Sequence, residues 1–377
     1  MTTADRLFSL LRVSLGAEES ICVLPDELPA LFELANFHDL AHLVCSALKK
    51  TGDLPADMAD ERVKAAVAGF KKQQSLSVFR AENIGYEQKR LCAALEEAGI
   101  DFMPLKGAVL RALYPAAWMR TSCDIDVLVK EEDLSSAVDL LCEKLGGKAE
   151  ERHSHDQSVF TESGVHIELH FLLDEYLPQA DGVLSRVWEG AVPAEGKTHE
   201  TCMDDGMFYV YHIAHMAKHV IHGGCGVRPF IDLFLMDKDP RFAPEKVDGL
   251  LKESGLLTFA NEARHLSRVW FASETPTDLS RRMERYLLSA GVYGSSENNR
   301  AIENERQTAK YVKKRLFLPY EVLKKQYPKL EKHKWLMPWY QVRRWVTKLF
   351  NGRATQEYRK LKETGSTVTP LLKDLGL

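Results

Sequence analysis

Asp124-Ile125-Asp126 opens an apolar run that continues as Val127-Leu128-Val129. Side chains alternate along a strand, so Asp124, Asp126 and Leu128 share one side while Ile125, Val127 and Val129 take the other. Two carboxylates fixed on one strand suit a pair of divalent cations, because two-metal phosphoryl-transfer sites hold ions about 4 Å apart through shared oxygen ligands. Buried without a cation, such acids would cost several kcal/mol, roughly. A third acid follows in Val165-His166-Ile167-Glu168-Leu169-His170-Phe171, where His166, Glu168 and His170 form the polar face. Glu168 either joins the aspartates from a neighbouring strand or is a solvated glutamate on a half-exposed one.

An element that can hold a phosphate precedes the aspartates. Ile100 to Leu105 reads as a buried strand stopped by Lys106-Gly107, and Ala108 to Tyr114 has helix-forming composition up to Pro115. Free N–H groups at a glycine turn that opens a helix favour an anion, as does the helix dipole. Lys106, Gly107 and Ala108 are therefore candidate donor-phosphate contacts, with Arg120 and Lys218 as further cationic candidates.

Leu105-Lys106-Gly107, Tyr114-Pro115, Arg120, Asp124-Ile125-Asp126 and Ile167-Glu168-Leu169-His170 together resemble an uncharacterised nucleotidyltransferase family related to the DNA polymerase β superfamily. The resemblance extends to His38-Asp39-Leu40-Ala41-His42, to Tyr211-His212-Ile213-Ala214-His215 through Lys218-His219 and Asp232, and to Met337-Pro338-Trp339-Tyr340. It implies an α+β fold, with a polymerase β-like core of small mixed sheet and helices flanked by N- and C-terminal helical regions. It also implies transfer of a nucleoside monophosphate from a nucleoside triphosphate such as ATP, using Mg²⁺ or Mn²⁺. In that reading Asp124 and Asp126 are metal ligands and Glu168 is the third carboxylate. One departure stands out: the superfamily usually has a second Gly or a Ser after the turn glycine, and here the position is Ala108.

The chain of 377 residues, 45% hydrophobic and 28% charged, has the balance of a soluble globular protein with room for two or three domains. No apolar run reaches about 18 residues and the N-terminus lacks a signal-peptide layout, so no membrane span and a cytoplasmic location are expected. Seven scattered cysteines without a Cys-x-x-Cys pair argue against a disulfide framework and a zinc knuckle.

Periodicity divides the chain into a helical N-terminal region (1–99), a catalytic core (100–180), a helical domain completing the cleft (181–300) and a basic amphipathic helical tail (301–377). Within these, helices are expected from Asp60 to Ala98, from Glu131 to Leu145 before Gly146-Gly147, and from the Asp204-Asp205 cap to His222. The last carries His212, His215, His219 and His222 as one stripe. Imidazoles at that spacing can share an ion. No thiolate or acidic ligand accompanies them on the helix, so the stripe is expected to face the catalytic sheet and support it through hydrogen bonds. Arg228 and Asp232 stand at i, i+4 and are expected to pair.

His38-Asp39 resembles the dipeptide of metal-dependent phosphohydrolases, but a helix-end histidine engaged in packing is the expectation. Between Ala309 and Arg353 thirteen Lys or Arg face two Glu. That basic tail is a candidate nucleic-acid surface. Its seam of Trp335, Trp339, Val342, Val346 and Leu349 instead argues for packing on the protein. The function expected is Mg²⁺-dependent transfer from a nucleoside triphosphate to an unidentified hydroxyl acceptor on a small molecule, protein or RNA. The alternatives are a catalytically inactive nucleotide-binding or interaction module and a metal-dependent phosphohydrolase.

Overall fold

The fold is that of a computed structural model, which describes all residues except 18–20, 56–58, 174, 293, 297, 301, 303–319, 321–322, 325–326, 332 and 351–366. Four helices open the chain: α1 (Thr3–Ser14), α2 (Leu28–Phe37), α3 (Ala41–Thr51) and the 38-residue α4 (Glu61–Ala98). The central segment holds β1 (Phe102–Pro104), the one-turn α5 (Gly107–Leu110), β2 (Asp124–Val129), α6 (Leu134–Leu145), β3 (Lys148–Ala149), β4 (Asp156–Phe160) and β5 (His166–His170). After it come α7 (Pro178–Leu184), a ribbon of β6 (Val192–Pro193) and β7 (Thr201–Cys202), then α8 (Asp205–Ile221) and α9 (Arg228–Met236). Helices α10 (Pro244–Glu253), α11 (Leu257–Ala272), α12 (Asp278–Ala290) and α13 (Met337–Phe350) follow, with a last helix over 367–374.

This is a mostly helical α+β protein whose five-stranded mixed sheet runs β1-β2-β5-β4-β3. The β2–β5 pair is parallel and the others are antiparallel. Alternation assigns the two faces of the central strands to different cores. Ile125, Val127, Val129, Ile167 and Leu169 pack with α6 and with Ile84, Leu91 and Leu95 of α4. Leu128 and Met103 belong to the other core, with Leu7, Phe70, Phe208, Phe230 and Trp270. Phe8 stacks on Trp270 with centroids 4.6 Å apart, so the first helices share a core with α8 to α11.

Several expected elements are shorter than read. The Ile100–Leu105 strand pairs only over Phe102–Pro104, and the helix expected from Ala108 to Tyr114 is one α-turn followed by a 3₁₀ turn, Arg111–Leu113. A carbonyl bonded only three residues ahead suits the approach to Tyr114-Pro115, where proline disfavours helix in the residue before it. Gly146 ends α6 in the left-handed conformation, at φ 61°. Between α7 and the Asp204 cap the chain is irregular apart from the β6–β7 ribbon, against the expected continuous helical character.

Most of the basic tail lies outside the described residues, including Lys310, Lys313, Lys314 and Arg315. Of the expected seam, Trp335, Trp339 and Val342 are exposed. The helix turns a different side inward, with Tyr340 packed beside Leu323 and Leu330. The side chains of Val346 and Leu349 lie outside the description. Among the described residues no helix is long and apolar enough to cross a membrane. None of the seven cysteines is in a disulfide.

Candidate active site

The parallel register places Asp124 beside His166, Asp126 beside Glu168 and Leu128 beside His170. Because β2 and β5 alternate in phase, the two aspartates, Glu168 and His170 rise from one face of the sheet. That face is one wall of a cavity of about 370 Å³, within the range of ligand pockets. The opposite wall is α8, which presents Tyr211, His212, His215, Lys218 and His219, joined by Glu175 from the β5–α7 connection.

Asp126 is the buried centre of the sheet wall, 4% exposed. The Lys106 ammonium donates to its Oδ1 at 2.7 Å and His170 Nε2 donates to the same oxygen at 3.0 Å. Burial alone would raise this carboxyl, but Lys106 and His170 outweigh it and hold the acid well below its usual range. His170 Nε2 also lies 3.4 Å from Glu168 Oε2. Burial opposes the imidazolium, yet hydrogen bonds to Asp126 and Glu168 raise its pKa to about 9. Asp124 behaves in the opposite way: burial, then the charge of Asp126, pushes its carboxyl up, and Glu168 adds to the repulsion.

This donor set fits a cation. Ligand atoms of Asp126, Glu168 and His170 lie within 4.8 Å of one another, and the Asp124 carboxyl, raised by burial and then by the charge of Asp126, carries a penalty that a cation relieves. Oxygen-rich sets of this kind suit Mg²⁺ or Mn²⁺, and His170, which donates its Nε2 proton to Asp126, would have to give that proton up before it could join them.

Lys106 reaches Asp126 through an unusual backbone. Its φ of 41° and ψ of −113° are rare for a residue with a side chain. The following residue must be small, since a Cβ on Gly107 would meet Arg120 Nη1 at 2.7 Å and Arg111 Nη2 at 3.3 Å. The Ala108 amide donates to the Leu105 carbonyl at 3.0 Å, so in this turn it is engaged within the backbone. Lys218 Nζ lies 3.1 Å from Glu175 Oε2.

Arg120 sits beneath the site. Its guanidinium donates to Asp232 at 3.0 and 3.3 Å, and Tyr114 donates its hydroxyl to the same carboxylate at 2.7 Å. The group is buried, with Arg120 8% and Asp232 1% exposed. The expected Arg228–Asp232 pair is therefore absent. Asp232 turns towards the segment before β2, and Arg228 donates to the Thr121 carbonyl at 2.9 Å and lies 3.5 Å from Asp39. Together these contacts fasten α9 to the residues that lead into Asp124. His38, buried, meets the Leu288 carbonyl at 3.2 Å, and Asp39 accepts from Thr121, so this dipeptide braces the fold.

The histidine stripe divides by neighbour. His212 is buried against the Pro229 carbonyl at 3.1 Å, and His222 bonds Lys218 O at 2.7 Å. His215 and His219 line the cavity.

A family model described as uncharacterised nucleotidyltransferase matches residues 25–272, which span both walls. The chain belongs to that nucleotidyltransferase family. No curated protein and no solved structure matches it. In this nucleotidyltransferase Glu175 and Arg111 escaped the sequence reading, and Tyr211 entered it only within the stretch that carries the family resemblance. Glu175 lies in a connection without periodicity. Arg111, which donates to Ser122 Oγ and to Gln88 at 3.2 Å, falls inside the helix expected from Ala108 to Tyr114, whose composition carries no sign of these partners.

Proposed function

We propose that the protein is a Mg²⁺-dependent nucleotidyltransferase that moves a nucleoside monophosphate from a nucleoside triphosphate to a hydroxyl acceptor. The observation that carries this reading is the shared face of β2 and β5, which sets Asp124, Asp126 and Glu168 together at a cavity in a chain of this family. Asp124, Asp126 and Glu168 would hold the metal, and Mg²⁺ so bound supplies charge neutralisation at the transferring phosphate and acidifies an acceptor hydroxyl.

The protein's own residues do the rest. Glu168, directly beside Asp126 on the neighbouring strand, supports the acceptor, while Lys106 and Lys218 bring positive charge to the donor triphosphate. Lys106 is already held between Asp126 and the Tyr211 hydroxyl, so it spans the two walls. Gly107 and Ala108 shape the turn that aims Lys106. Arg120 is committed to Asp232 and acts by fixing the approach to Asp124.

One observation favours a second reading, a metal-free nucleotide-binding module: Lys106 and His170 already compensate Asp126. Pyrophosphate release from a panel of triphosphates, with sugars, hydroxylated small molecules, protein and RNA as acceptors, decides between them. Mg²⁺-dependent release supports transfer. Nucleotide binding that is indifferent to Mg²⁺ and to chelator, without release, supports the module.

A further inference from the structure

His215 and His219 are the cavity-lining groups for which nucleotidyl transfer has no evident use. Their Nε2 atoms face each other at 3.2 Å, with ring planes at 80°. On the far side of His215, Nδ1 donates to the Glu175 carboxylate at 3.1 and 3.2 Å. That bond places the remaining lone pair of His215 on Nε2, the atom that faces His219.

We propose that His215 and His219 form a second metal site, distinct from the carboxylates of the sheet, that takes a borderline transition ion such as Zn²⁺ or Co²⁺. Two imidazole nitrogens bound tetrahedrally at 2.0–2.1 Å stand about 3.3 Å apart, which is the separation found here before any ion enters. Glu175 supplies the outer carboxylate that orients metal-bound histidines and raises their basicity. It also answers the missing acid on the helix itself, because it arrives from the β5–α7 connection.

The surrounding charges are matched. Lys218 is paired with Glu175 at 3.1 Å and also lies over the Tyr176 ring, Lys106 is paired with Asp126 at 2.7 Å, and Tyr211 stands beside Lys106. Burial, reinforced by His215, lowers the His219 pKa to about 3, so at neutral pH its ring is uncharged and available as a ligand. On binding, the ion takes the place of the proton between the two Nε2 atoms, and that proton moves to Nδ1 of His219, so both rings stay neutral and no net proton is released. Two protein ligands leave coordination positions open towards the cavity for water or an anionic oxygen. Imidazole pairs select such ions over Mg²⁺.

The site is independent of the transfer chemistry, and its test needs no acceptor. Metal-stripped full-length protein is titrated with Co²⁺ alone, and binding is followed by visible d–d absorption and by paramagnetically shifted imidazole N–H signals. One equivalent with imidazole signals is expected. His219→Ala and His215→Ala, or the Gln variants if either Ala protein misfolds, should lose it by at least tenfold in affinity. Glu175→Gln should weaken it about 10- to 100-fold. His222→Ala and Asp126→Asn should leave it unchanged, and His219→Gln should keep any Mg²⁺-dependent nucleotide binding. Absence of the Co²⁺ signal, its survival in His219→Ala, or its loss in Asp126→Asn overturns the proposal. None of these outcomes bears on the carboxylate site's own Mg²⁺ response.

Discussion

His170 on the sheet wall and His212 on the α8 wall are almost equally buried, yet near neutral pH the first is charged and the second is not. On the sheet wall, His170 lies between Asp126 and Glu168, and its pKa rises to about 9. Across the cavity, burial lowers His212 to about 4 and His219 to about 3, because their partners are a carbonyl and another imidazole. Burial alone disfavours the imidazolium, and the direct hydrogen bonds of His170 to two carboxylates reverse the sign, whereas the charge of Asp232 near His212 does not. The sheet wall is thus a compact array of opposed charges, while the part of α8 that carries these two histidines presents neutral nitrogen.

The walls depend on a common anchor, and breaking it should produce the largest effect. Arg120→Ala leaves the Asp232 carboxylate buried without its cation, for an expected loss of about 3–5 kcal/mol in urea unfolding. Arg120→Lys keeps the charge but loses the planar fork and should fall between. An unchanged midpoint would mean that α9 does not hold the approach to β2.

The histidines give the next test, with effects on the order of 3 kcal/mol at most. For His170 the folded pKa exceeds the unfolded value of about 6.5, so its stabilisation is full below 6.5 and lost as pH rises through about 9. His170→Gln should therefore flatten the alkaline decline of stability in metal-free buffer. For His212 the folded pKa lies below the unfolded one, so stability falls as pH drops from 6.5 towards 4. His212→Gln should reduce that acid decline and leave the alkaline limb alone. Matching pH profiles for the two variants would erase the contrast between the walls.

A smaller effect of opposite sign is expected at Asp124. Its raised carboxyl marks a folded state that disfavours the anion, so Asp124→Asn should stabilise the metal-free protein by on the order of 1 kcal/mol. Thermal melting in chelator, with and without the substitution, checks this. A drop in stability would show that Asp124 has a partner that compensates its charge.

The sheet wall was legible in the sequence because its geometry is local. Alternation in Asp124–Val129 and Val165–Phe171 fixes which side chains share a face, and only the pairing of the strands remained to be supplied. The helix wall was half legible. Spacing placed four histidines on one stripe, but the partners Glu175 and Pro229 O come from outside that helix, where its own periodicity carries no information. Arg228 and Asp232 show the same limit: correct spacing for an i, i+4 pair gave way to the Arg120 and Thr121 partners offered by tertiary packing. At Lys106-Gly107 the turn itself was readable, whereas the ammonium's choice of Asp126 depended on a backbone conformation that the sequence does not announce.

The central claim is that Asp124, Asp126 and Glu168 act as one metal-dependent unit. Isothermal titration of a non-hydrolysable nucleoside triphosphate into the wild type, Asp124→Asn, Asp126→Asn and Glu168→Gln, each with Mg²⁺ and with chelator, tests it most directly. The wild type should bind only with Mg²⁺, the two aspartate variants should lose that binding, and Glu168→Gln should keep it while losing pyrophosphate release from the natural triphosphate. An identical metal response in all four proteins would contradict the assignment.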